Sequence, residues 1–153
     1  MKKNVVAVGL GNPLMGDEGI GGLIISRFQA QADKYPSVDF IDAGTGGMSL
    51  LHIIAGRKKA VLIDCACMET EPGTIKRFTP ADVKSVKKLQ HQSLHEADVL
   101  KITELARRLG QLPQQVVILG IEPEKIEPGQ KLSDTLSSKV DDYIATIAKE
   151  LVQ

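Results

Sequence analysis

Val5-Val6-Ala7-Val8-Gly9-Leu10-Gly11-Asn12-Pro13-Leu14-Met15-Gly16-Asp17-Glu18-Gly19-Ile20-Gly21 decides how the rest of the chain is read. Its apolar, β-branched start reads as a buried strand. The strand breaks into a glycine-rich turn, and an amphipathic helix is expected from near Asp17, with Ile20, Leu23, Ile24 and Phe28 on one face. Strand, loop and helix make the first crossover unit of an α/β sheet. Glycine loops at helix N-termini commonly hold phosphate, because they bare backbone N–H groups. Here the spacing is G-x-G-x-x-x-x-G, which is neither the dinucleotide fingerprint nor the P-loop, and no Lys-Ser/Thr follows. Asp17 and Glu18 stand where the phosphate would lie, so the loop repels an anion and suits a metal. Acidic residues in a first helical turn also serve as ordinary caps. The pair alone does not separate these readings; its company elsewhere in the chain does.

The chain has 153 residues and is read as one domain over 1–153, long enough for a single sizeable core. Nineteen Lys and Arg balance nineteen Asp and Glu, which argues against nucleic acid or an anionic membrane as partner. No apolar run is long enough to span a bilayer, and Met1-Lys2-Lys3 leads directly into a strand without a signal-peptide pattern. Cys65 and Cys67, one residue apart, cannot staple distant parts of the chain, so a reducing cytoplasm is the expected location.

After the first helix, Val38–Ile41 reads as a second strand ending at Asp42-Ala43-Gly44-Thr45-Gly46-Gly47, another glycine turn with a carboxylate. A short helix follows, with Met48, Leu51, His52 and Ile54 as its expected buried face. Ala60–Ile63 reads as a third buried strand, ending at Asp64. This β-α-β-α-β order predicts a parallel sheet with right-handed crossovers. Thr74–Phe78 alternates like an edge strand, Thr79 caps a brief helix, and 84–92 reads as an exposed loop. Ser93-Leu94-His95-Glu96 has the spacing that opens a helix, with Leu94, Leu100, Leu105 and Leu109 on its apolar side. Val116–Gly120 is the last buried strand, Ile121–Gly129 a proline-broken loop, and a final helix is expected from about Ser133. The resulting fold class is α/β: a three-layer sandwich whose mostly parallel, twisted sheet has about five strands and helices on both faces.

In such a sheet the loops after the strands share one edge, and ligands bind there at the topological switch point. Glu18, Asp42 and Asp64 each follow the carboxyl end of an expected strand, and His95 opens a helix that reaches the same edge. Three carboxylates and an imidazole around one crevice call for a cation, and the donor set suits zinc, nickel or iron. Each residue also has a plainer reading: Asp64 as a strand-end hydrogen-bond acceptor, His95 as a surface residue in a capped turn. His91 is a rival ligand, and His52 reads as a partly buried helix residue. Cys65 and Cys67 share a strand face and read as apolar packing rather than a soft-metal pair.

With these motifs in hand, the chain resembles the hydrogenase maturation proteases, endopeptidases that trim the large subunit of nickel–iron hydrogenases. Gly9–Gly21 is similar to the family's opening motif and Asp42–Gly47 to its second motif. Ile63-Asp64 is similar to its third motif, Ser93-Leu94-His95-Glu96 to its histidine segment, and Gly120–Pro123 with Ile126-Glu127-Pro128 to its late loop. The resemblance implies that Glu18, Asp64 and His95 engage nickel, carried by the substrate and contacted only transiently, with no organic cofactor. It implies a nickel–iron hydrogenase large-subunit precursor as partner and removal of its C-terminal extension after nickel insertion. Beside Glu18 and Asp64, the candidate catalytic residues are Asp17 and Asp42, each as a base or as a residue that holds a ligand in place. No Ser-His-Asp set and no H-E-x-x-H is present, which fits a protease without its own nucleophile or resident zinc. Two other readings stand beside this one: a non-catalytic nickel checkpoint for the same subunit, and a small α/β enzyme acting on a nucleotide. Oligomeric state is left open.

Overall fold

The computed structural model describes the backbone of residues 1–85 and 94–153, and the side chains of residues 1–82 and 99–153. Five strands form one sheet: β1 (Val5–Gly9), β2 (Val38–Asp42), β3 (Lys59–Cys65), β4 (Ile75–Phe78) and β5 (Gln115–Ile121). Their order is β2-β1-β3-β5-β4, with every pairing parallel except β4 against β5. The helices among the described residues are α1 (Ile20–Gln29), α2 (Met48–Ile54), α3 (Pro80–Ser85), α4 (Leu94–Arg108), α5 (Asp134–Ser137) and α6 (Val140–Leu151). The expected α/β class, mostly parallel sheet and two helical layers are all present.

The three inner strands β1, β3 and β5 are largely apolar on both faces because both faces are covered. Ala7, Val61, Ile63, Val117 and Leu119 pack against α1 and α6, while Val6, Val8, Leu62 and Ile118 pack against α2 and α4. The single core expected from chain length is therefore two apolar layers with the sheet between them. Gly21 lets α1 lie directly on the sheet: a Cβ there would sit 2.5 Å from the Leu10 carbonyl oxygen and 2.7 Å from that of Ile63. Phe28 anchors the far end of α1, its ring stacked 5.1 Å from Phe40 and edge-on to Tyr35 at 5.5 Å.

Several sequence expectations shift in detail. Gly16–Gly19 forms a 3-10 turn and α1 starts only at Ile20, leaving Leu23 exposed. In α2 the buried residues are Leu50, Leu51 and Ile54, whereas Met48 and His52 face solvent. In α4, Val99, Ile102 and Ala106 are buried, Leu100 and Leu105 lie at the margin, and Leu109 is exposed. Short helices follow the sheet surface they meet, so an apolar residue one position off the stripe ends outside. The last helix is two: Ser133 caps α5 through its hydroxyl, which accepts from Leu136 N at 3.3 Å, and α6 then starts at Val140. Thr79 caps α3 reciprocally with Asp82: Asp82 N donates to Thr79 Oγ1 at 3.3 Å and Thr79 N donates to Asp82 Oδ2 at 2.9 Å. Because α3 runs to Ser85, the start of the segment read as a loop is helical; residues 86–93, including His91 and Ser93, lie outside the described residues. Among the described residues no helix is long and apolar enough to cross a membrane.

The amino edge of the sheet is stapled by buried cations. Arg57 donates to the Ile53 and Lys3 carbonyls, both at 2.9 Å, and pairs with Asp39. Lys59 donates to the Glu150 carbonyl at 2.6 Å, and the Glu150 carboxylate takes Arg77 at 2.9 Å, tying α6 to β3 and β4. Replacing Phe28 with alanine should cost about 3–5 kcal/mol, because the ring's packing on Phe40 and Tyr35 is lost and the cavity is closed on all sides. Urea unfolding of Phe28→Ala beside the wild type measures this.

Candidate active site

The topology opens one crevice at the carboxyl edge. From β1 the chain crosses by α1 to β2 on one side, then by α2 to β3 on the other, so the loops leaving β1 and β3 diverge between them. Backbone bonds lace the loops along this edge. Leu10 N donates to Ile63 O at 2.9 Å, Ala43 N to Gly9 O at 2.9 Å, and Gly11 N to Gly44 O at 2.7 Å. Asn12 turns the chain, its side-chain oxygen accepting from Leu14 N at 2.9 Å. Gly11 (φ +125°) must be glycine, since a Cβ would collide with the Glu18 carbonyl folded back over it.

Asp17 is fully buried and satisfied by one segment, the loop after β5. Its Oδ2 accepts from Glu124 N and Lys125 N, each at 2.9 Å, and from Ser133 Oγ at 2.8 Å; its Oδ1 accepts from Ser133 N at 2.7 Å. Burial works to raise its pKa, but these four donors outweigh it and hold the carboxyl below the usual range. The same two loops are also zipped by backbone, with Gly16 N donating to Gly129 O and Gly129 N to Leu14 O, both at 2.8 Å. Asp17 is thus the residue that fastens the Glu18 turn to the late loop.

Glu18, next to it, is half-buried in the 3-10 turn. Asp64 lies at the end of β3 and is almost completely buried, its Cα in register with Gly120 of β5. Both residues follow the carboxyl ends of adjacent strands, Glu18 after β1 and Asp64 on β3. Burial drives the Cys65 thiol far above its ordinary pKa, and the charges of Asp64, Cys67, Glu18 and Asp17 push it further in the same direction. Cys65 therefore stays a protonated core residue, as apolar packing requires, and Cys67 is half-buried beside it. Asp42, at the end of β2 and in register with Gly9, is exposed: its Oδ1 accepts from Gly44 N at 3.0 Å, and its Oδ2 lies over Gly22, where a Cβ would come within 2.8 Å. The crossover from α4 down to the start of β5 puts the first turn of α4, with the backbone of His95, toward the carboxyl edge. The His95 side chain lies outside the described residues. Among the described residues no three His, Cys, Asp or Glu side chains are grouped to hold a metal ion.

One carboxylate with a defined job escaped the sequence reading. Glu122 is buried just past β5, and its Oε1 accepts from Met68 N at 2.7 Å and from Thr70 N and Thr70 Oγ1, each at 3.0 Å. Nothing local in Ile121-Glu122-Pro123 signals this, because its partners are more than fifty residues upstream.

Comparison with known proteins settles the family. The description "Hydrogenase maturation protease" matches residues 23–150. The chain belongs to the hydrogenase maturation protease family. It is similar to the hydrogenase expression/formation protein HoxM of Cupriavidus necator, 33% identical over 141 residues, which span 92% of this chain and 70% of that protein. It is also 27% identical over 150 residues to the hydrogenase 2 maturation protease of Escherichia coli, covering 96% of this chain and 90% of the relative. Among solved structures, the hydrogenase-maturating endopeptidase HybD from E. coli superposes with a TM-score of 0.82 at 25% identity, over 99% of this chain and 92% of that one. This member of the family is accordingly a peptidase with the family's sheet and loop arrangement.

The Asp17 knot generates a pH-dependent stability. A carboxyl held below its unfolded value of about 3.9 stabilises the fold above that pH and ceases to do so as pH falls through its depressed folded value. Asp17→Asn, which turns an amide N–H₂ toward at least one backbone donor, should lose about 2–4 kcal/mol at pH 7. That deficit should begin to shrink below about pH 4, where the unfolded wild type takes up a proton first, and go on shrinking as pH falls toward the depressed folded value. Urea titrations of both proteins at pH 7 and pH 3 check the size and the closing of the gap.

Proposed function

We propose that this protease removes a C-terminal extension from the large-subunit precursor of a nickel–iron hydrogenase after nickel insertion, and reads the precursor's own nickel through Glu18, Asp64 and His95. The observation that supports this reading is that Glu18 and Asp64 follow the carboxyl ends of adjacent strands, β1 and β3, where the crossovers diverge. Carboxylate oxygens suit a divalent ion, and His95, the histidine that the resemblance implies, would make the donor set a mixed one of oxygen and nitrogen.

The nickel, as part of the substrate, supplies a fixed positive centre and a Lewis acid close to the scissile peptide. The chain's own residues do the rest. Glu18 and Asp64 orient the precursor by their contacts to its ion, and that orientation brings the peptide bond against the crevice. Water adds to the scissile carbonyl, its proton passes to a carboxylate, the C–N bond breaks, and the leaving amine takes the proton. We assign the proton-accepting role to Asp42, a carboxylate at the same edge whose side chain is exposed to water. Asp17 is assigned to holding Glu18 in place, because four donors already occupy its oxygens.

Mass spectrometry of a nickel-loaded precursor and a nickel-free control, each incubated with the protein, tests the reading. Loss of a C-terminal peptide from the loaded sample alone is the expected result. Equal cleavage of both would remove the nickel from recognition, and no cleavage of the cognate precursor would remove the reaction. Glu18→Ala should slow processing by at least about 100-fold. The variant should stay folded, with a circular dichroism spectrum like that of the wild type, since the side chain is only half-buried. A Glu18→Ala protein that processed at the wild-type rate would remove Glu18 from the site.

A further inference from the structure

We propose that Glu122 is a positioning residue of this site: its buried carboxylate fills a backbone nest in the loop after β3 and holds that loop down beside Asp64. The inference rests on the proposed role of Asp64 for its catalytic consequence, and on the structure alone for the clamp.

The loop runs from Ala66 to Thr74, between β3 and β4. Glu69 within it has φ +59°, the only positive φ at a non-glycine residue among those described. That left-handed backbone costs an ordinary side chain about 1–3 kcal/mol and persists only where the surroundings over-determine it. Glu122 supplies the determination. With Glu69 left-handed, the N–H groups of the residues on either side, Met68 and Thr70, converge on one point, as they do in anion-binding nests. The occupant is the Glu122 Oε1, which also takes the Thr70 hydroxyl. Its own backbone continues the fastening: Glu122 N donates to Thr74 O and Gly73 N to Glu122 O, both at 2.8 Å. Tyr143 of α6 secures the far end, donating to Gly73 O at 2.6 Å.

The near end is where the site is. Clamped in this way, Ala66 and Met68 lie over Gly120, where a Cβ would stand 3.1 Å from both Ala66 Cβ and Met68 Sδ. Gly120 is the register partner of Asp64, so the two Cβ directions share one sheet face. The nest therefore sets how closely the loop covers the sheet beside Asp64 and how little of that carboxylate water reaches. Release of Glu122 frees Met68–Thr70 to relax out of the strained turn while the sheet, and Asp64's backbone, stay where they are.

The test uses Glu122→Ala, Glu122→Gln and the double variant Glu122→Ala/Glu69→Gly. Amide hydrogen exchange at Met68 and Thr70 reads the clamp on the protein alone. Glu122→Ala should speed exchange there by on the order of tenfold or more, the factor carried by a charge-assisted hydrogen bond. It should lower kcat for precursor processing by about 10–100-fold with KM little changed, since the precursor still docks but its reacting bond is held less well. Glu122→Gln keeps an acceptor oxygen and should retain most of both properties. Glycine adopts a positive φ without strain, so Glu69→Gly should restore part of the lost protection and part of kcat to Glu122→Ala. Unchanged exchange at Met68 and Thr70 in folded Glu122→Ala would overturn the clamp. Faster exchange with wild-type kcat and KM would overturn the positioning role, as would a lower melting temperature as the sole effect. A wild type that cleaves no precursor would count against the proposed reaction, and the exchange result would still decide the clamp.

Discussion

A carboxylate buried without a cation is costly unless hydrogen-bond donors replace the water it loses, and the carboxyl edge of this protein is assembled around that requirement. Asp17 is met by three backbone N–H groups and a serine hydroxyl, all from the loop after β5. The donors it needs can be supplied only if that loop, broken by prolines and without helix or strand of its own, takes one conformation against the first glycine turn. The turn and the late loop consequently order each other. Glu18 inherits a fixed place from this arrangement.

Charge is divided between the two edges of the sheet. At the amino edge the buried carboxylate of Glu150 and the half-buried Asp39 meet arginine and lysine, and these pairs tie helix α6, strand β2 and the chain start together. At the carboxyl edge Asp17 and Glu122 meet backbone donors. Neutral donors satisfy a carboxylate's hydrogen bonds without cancelling its charge, so Asp17 stays anionic inside this edge. Holding like charges near one another opposes folding. Stability supplied at the far edge and in the two apolar layers offsets that, which is how a fold carries an anionic site.

Much of this was legible in residue order. The apolar runs at Val5, Ala60 and Val116 are buried on both faces and announce parallel strands, and the glycine turns announce the crossovers. Side-chain burial on the short helices was less so. His52 and Met48 of α2 fit a helical stripe in sequence yet face solvent, because a short helix is rotated by the sheet it lands on, and Leu109 is exposed because α4 has already ended at Arg108. Asp17 and Glu18 looked alike as neighbours in one acidic pair. Their separation into a buried fastening and a half-buried surface group depends on which loop arrives from a hundred residues away.

The sequence by itself determined the element order, the parallel sheet and the edge at which Glu18, Asp42 and Asp64 emerge, because these follow from local periodicity, turn chemistry and the handedness of crossovers. Only the tertiary structure decided that Asp17 and Glu122 hold loops, that Asp42 stands exposed over α1, and that the loop after β3 is strained at Glu69. The physical reason is the range of the interactions. A strand or a turn is specified by its own residues, whereas a buried carboxylate is specified by donors that only the completed fold brings within reach.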